Sequence, residues 1–139
     1  MELLLPMATV VFLTFAVMIV MVGSRIYAVK KREVKAGYFK IYINESKLQI
    51  PPYIIKIGRN YANLMELPPL FYVTCLIFMF TGQTDQLTVS LAWTFAITRV
   101  LHTIVHITIN HVTGRLLIFT VSCLALLGMW IQLVGKNFL

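Results

Sequence analysis

Four apolar stretches divide the chain, at Leu3–Gly23, Leu67–Phe80, Leu87–Ile109 and Leu116–Val134. A helix needs about 20 residues to cross the hydrocarbon core of a bilayer. Three of the stretches are of that order. The second reaches it only if its polar beginning, Pro52–Glu66, belongs to the same helix. The pattern therefore predicts an all-α fold, an integral membrane four-helix bundle with helices over residues 3–29, 52–80, 86–109 and 115–134. Together they make one domain over residues 1–139.

The connections fit this division. Pro51-Pro52 suits a helix start, because the first turn has no use for the N–H that proline lacks. Pro68-Pro69 withdraw the donors that would bind the carbonyls of Leu64 and Met65, which predicts a kink inside the second span. The short, nearly uncharged "TGQTDQ" places Asp85 to cap the third helix. The turn "NHVTG" is tight enough to make the third and fourth helices antiparallel neighbours.

Within the spans the polar residues are ordered. Arg59, Asn63 and Glu66 follow i, i+4, i+7, and Arg99, His102, His106 and Asn110 follow i, i+3, i+7, i+11, so each set shares one helix face. Polar groups facing lipid are costly, so both stripes should point into the bundle. Arg25 closes the first helix and Arg115 opens the fourth, toward the same leaflet. A basic pocket results, suited to a small anion with several carboxylates, whose ammonium and amides would meet Glu66 and Asn63. A plainer reading, in which Arg59 and Glu66 pair and merely hold helices together, stays open. His102 and His106 also match a metal pair at i, i+4. The third ligand would have to be His111 or Glu66, and no metal is expected.

Composition and charge narrow the function classes. Of 139 residues, 59% are hydrophobic and 12% charged, about half the charged fraction of a soluble domain. The net charge of +7 would suit nucleic acid if it were spread over a soluble surface. It is instead confined to residues 25–59, where Arg25, Lys30, Lys31, Arg32, Lys35, Lys40, Lys47, Lys56 and Arg59 face only Glu33 and Glu45. Such a basic connection marks a cytoplasmic loop, so no nucleic-acid partner is expected and both termini should be external. The sequon Asn44-Glu45-Ser46 on that loop is then accidental. Glu2 and the lack of early Lys or Arg argue against a cleavable signal, so the first helix should be retained. Cys75 and Cys123 lie in apolar segments and read as small core residues.

The stretch "RNYANLMELPPLF" resembles the second-helix signature of the MAPEG family, the membrane-associated proteins in eicosanoid and glutathione metabolism. That pattern, R-x-x-x-N-x-x-E-x-x-P, falls on Arg59, Asn63, Glu66 and Pro69. The stretch "RVLHTIVHITINHVTGR" is similar to the family's passage from third to fourth helix, with Arg115 at the position of the arginine that acts on the thiol. The resemblance covers nearly the whole chain.

It implies a homotrimer that binds glutathione between subunits on the cytoplasmic side and takes a lipophilic electrophile from the membrane lipid. Arg59, Asn63 and Glu66 would hold glutathione, Arg25 would reach in from a neighbouring subunit, and His102 and His106 would line the site. Arg115, the catalytic residue, would stabilise the thiolate, with glutathione as thiol substrate. His106 and Phe119 replace tyrosines of well-known relatives, and Leu116 follows Arg115 where some have Ser. The chain is thus most similar to the prokaryotic branch, whose members would sit in a bacterial inner membrane with the site toward the cytoplasm. The implied activity is glutathione transfer to hydrophobic electrophiles in detoxification, with glutathione peroxidase activity as a companion. The alternative is a non-catalytic lipid- or partner-binding member.

Overall fold

The computed structural model describes residues 2–41 and 50–138, so the sequon and Lys47 lie outside the described residues. Six helices follow in order: α1 (Leu4–Lys30), α2 (Tyr38–Ile41), α3 (Pro52–Glu66), α4 (Pro68–Thr81), α5 (Gln86–Ile107) and α6 (Val112–Phe138). No strand forms among the described residues. Helices α3 and α4 make one interrupted span, so four segments are long and apolar enough to cross a membrane: Leu4–Lys30, Pro52–Thr81, Gln86–Ile107 and Val112–Asn137. The chain is an all-helical, multi-pass membrane protein.

The expected kink is a one-residue break at Leu67. Pro68 and Pro69 begin α4, where their missing N–H groups cost nothing, and Leu70 N–H closes the corner on Leu67 O at 3.1 Å. Gly82 ends α4 at φ 68°, a left-handed cap that a residue without Cβ adopts readily.

Asp85 caps α5 as expected, accepting from Thr88 N at 2.8 Å. It also fastens the far end of α6. Lys136 Nζ reaches its carboxylate at 2.7 Å and Gln132 Nε2 donates to it at 2.7 Å. The Lys136 ammonium, followed by the Thr88 and Gln132 donors, holds the Asp85 carboxyl below the usual carboxylate range.

The tight turn between α5 and α6 is shorter than expected, because α6 begins at Val112. His111 Nδ1 caps the new helix by accepting from Gly114 N at 3.1 Å, and Asn110 turns the chain at φ 52°, a conformation asparagine tolerates.

The interior has two halves. Near the Asp85 end, Phe71, Cys75, Phe78, Phe95, Ala96 and Met129 pack as a dry core, with Phe71 stacked on Phe95 at 4.3 Å. Toward the basic end the interior is polar. Asn60, Arg99, His102, Thr103 and His106 are buried there, so the α5 stripe does face inward. Phe12, Phe15, Ile19, Phe80 and Ile131 are exposed on the outside, the arrangement a lipid solvent favours.

Candidate functional site

At the basic end a cavity of about 260 Å³ opens between α3, α5 and α6. Arg59 and Asn63 from α3 form one wall. His102 and His106 from α5 form another, and Arg115 with Val112, Leu116 and Phe119 from α6 closes the third. Arg59, His106 and Arg115 also wall an adjoining lobe of about 220 Å³, completed by Pro52, Ile55, Lys56 and Asn110. Thus five of the seven residues singled out from sequence meet at one space: Arg59, Asn63, His102, His106 and Arg115.

Arg115 is held in place. Its Nη1 donates to Asn110 Oδ1 at 3.0 Å and lies 3.1 Å from His106 Nε2. A guanidinium has no acceptor, so Nε2 must accept and the proton of a neutral His106 resides on Nδ1. That Nδ1 is buried and has no hydrogen-bond partner, and the same is true of His102 Nδ1. Each of the two histidines that line the cavity therefore keeps one buried ring nitrogen without a partner. Buried polar atoms rarely stay so unless a ligand or water completes them. The two rings meet edge-on at 5.6 Å, and Phe119 packs against His102 at 5.8 Å.

Asn63 is fixed from behind by Arg99. The guanidinium is fully buried, donates through Nη2 to the Asn63 carbonyl at 3.1 Å, and also binds Asn63 Oδ1. It reaches from α5 to the last turn of α3, where a cation is favourable. Arg99 was read from sequence as part of the polar stripe. It faces inward with that stripe and is also the support on which Asn63 rests, with the Asn63 Oδ1 taken and its Nδ2 left over. Beside it, Asn60 Nδ2 donates to Thr103 Oγ1 at 3.4 Å and ties α3 to α5.

Glu66 and Arg25 do not line the cavity. Glu66 ends α3 and is exposed, and it makes no ion pair with Arg59. The plainer reading of Arg59 and Glu66 as a helix-holding pair is therefore not what the bundle contains. Arg25 lines a separate groove on the outer side of α1 with Ile26, Val29, Lys30 and Phe39, its guanidinium 5.4 Å from the Phe39 ring centroid. Sequence reading gave no role to Asn110 as the anchor of Arg115, or to Lys56 beside Arg59. The signal for Lys56 was present, since i and i+3 on α3 share a face.

The site thus sets Arg59 on the α3 wall, the two imidazoles on the α5 wall, and Arg115 among apolar side chains on the α6 wall of one cavity. No curated protein and no solved structure matches the chain. The model of the MAPEG family matches it over residues 3–135, nearly its whole length. The chain belongs to the MAPEG family.

Proposed function

We propose that the protein is a membrane-bound glutathione transferase of the prokaryotic type, joining the glutathione thiolate to hydrophobic electrophiles that arrive from the bilayer. The observation that supports this most is the position of Arg115, anchored by His106 and Asn110 among apolar side chains on the α6 wall of one cavity. A free thiol has a pKa near 8.5, so about a few per cent is ionised at neutral pH. A fixed guanidinium favours the thiolate and cannot compete as an acid. The thiol proton leaves to water, the sulfur forms a bond to the electrophilic carbon, and the leaving group departs with the electron pair. His106, whose Nε2 accepts from Arg115, acts in this scheme by positioning that guanidinium rather than as a base.

Arg59 and the Nδ2 of Asn63 hold the peptide, and His102 donates to it. With a peroxide as electrophile, the same thiolate would attack oxygen to give a sulfenic acid and an alcohol. A second glutathione would then complete the disulfide and release water, which is the peroxidase reaction. The protein works as a homotrimer in which Arg25 and Glu66, both outside the cavity of their own subunit, serve a site shared with a neighbour. The site faces the cytoplasm and the termini lie on the other side of a bacterial inner membrane.

Calorimetric titration of the purified protein with glutathione and with its thiol-free analogue, beside a conjugation assay with an aryl halide, tests the reading. Binding of both ligands together with turnover supports it. Binding without turnover on any electrophile would favour a non-catalytic ligand-binding protein.

A further inference from the structure

The smaller lobe has a charge pattern that the larger cavity does not explain. Lys56, Arg59 and Arg115 all border it, and among the described residues no carboxylate does. Lys56 and Arg59 make no hydrogen bond or ion pair among the described residues. At this end of the bundle Glu33 accepts from the Tyr53 hydroxyl at 2.7 Å. All three cations act on the His106 ring, so they share one small region. The lobe also begins at Pro52, the N-terminal turn of the 15-residue α3, where the helix dipole adds positive potential. Three unrelieved positive charges around about 220 Å³ repel one another until an anion enters.

We propose that Lys56 is a further substrate-binding residue, and that the smaller lobe receives one of the two carboxylates of the thiol substrate while its sulfur lies in the larger cavity. The proposal rests on the glutathione reading given above. The two lobes meet across Arg59, His106 and Arg115, so a single extended peptide can occupy both. Lys56 makes the site selective for a dicarboxylate thiol over a smaller or singly charged one, because a thiol with one carboxylate leaves the ammonium without a partner.

The test is calorimetric titration of the full chain in detergent with three ligands. These are glutathione, its glycine ethyl ester, and the analogue lacking the α-carboxylate of the γ-glutamyl residue. Lys56→Gln should weaken glutathione binding by roughly five- to thirtyfold, and Lys56→Arg should restore most of it. For one of the two singly carboxylated analogues, parent and Lys56→Gln should bind alike, which identifies the carboxylate that Lys56 holds. An unchanged glutathione affinity in Lys56→Gln, or an equal loss for all three ligands, would overturn the proposal and leave the glutathione reading intact. A parent protein that binds none of the three would overturn both.

Discussion

Arg99 offers a stringent prediction, because a fully buried cation with no carboxylate partner must be justified by what it holds. Its contacts are the Asn63 carbonyl, the Asn63 side-chain oxygen and the Phe119 ring, whose centroid is 5.7 Å away. Arg99→Met keeps much of the aliphatic volume and removes the fork. Hydrogen bonds to a charged group are worth about 1.5–3 kcal/mol each, so two of them amount to roughly 3–6 kcal/mol. Against this, methionine recovers part of the several kcal/mol that desolvating a cation costs. The difference should leave the variant about 1–3 kcal/mol less stable.

The effect on ligand binding is separate. Without Arg99 the Asn63 amide rotates, and glutathione affinity should fall about tenfold, or 1.4 kcal/mol. Unfolding followed by Trp93 and Trp130 fluorescence in mixed micelles gives the first quantity, and calorimetry gives the second. A double-mutant cycle with Asn63→Ala should show a coupling energy of about 1–2 kcal/mol. If Arg99→Met were as stable as the parent and bound glutathione equally, or if the cycle were additive, Arg99 would not be the support of Asn63.

Other outcomes follow from the same geometry. Arg59 is exposed, so its contact with a ligand carboxylate is partly screened, and Arg59→Ala should cost about 1–2 kcal/mol of glutathione affinity by calorimetry. The Asp85 cluster stabilises the fold in full above the ordinary carboxylate range, since its folded value lies below that range. The contribution is lost as pH falls through and below that range, and thermal unfolding of Asp85→Asn should show a weaker acid dependence than the parent. Cysteines introduced at Lys35 and at Asp85 should react with an impermeant reagent from opposite sides of intact membranes. Labelling of both from one side would contradict the four-span topology.

Much of the fold was legible because each signal was local. Apolar run length gave the spans, paired prolines gave the break at Leu67, and Asp85 gave the start of α5. The α5 stripe was legible for the same reason, since an uninterrupted helix keeps i, i+3 and i+7 on one face. Glu66 escaped that logic. It is the last residue of α3, directly before the break, and the spacing that aligned it with Arg59 and Asn63 does not bring it to the cavity wall. Arg99 and Asn110 were legible as members of that stripe, but their contacts with Asn63 and Arg115 depend on partners 36 and 5 residues away, which periodicity cannot supply. Arg25 lines a separate groove with Ile26, Val29, Lys30 and Phe39, a placement that spacing along α1 does not reveal.

The central claim is that Arg115 stabilises a bound thiolate, and the ultraviolet absorbance of that thiolate tests it most directly. A guanidinium about 4 Å from sulfur contributes roughly 4 kcal/mol at an effective dielectric constant of 20, an upper figure for a half-buried site. One to three units of lost pKa depression, about 1.4–4 kcal/mol, correspond to a ten- to thousandfold fall in turnover. Adding glutathione without electrophile should raise a thiolate band in the parent protein. In Arg115→Ala the band should vanish while calorimetry still records binding, and Arg115→Lys should recover part of it. No band in the parent, or an undiminished band in Arg115→Ala, would contradict the account.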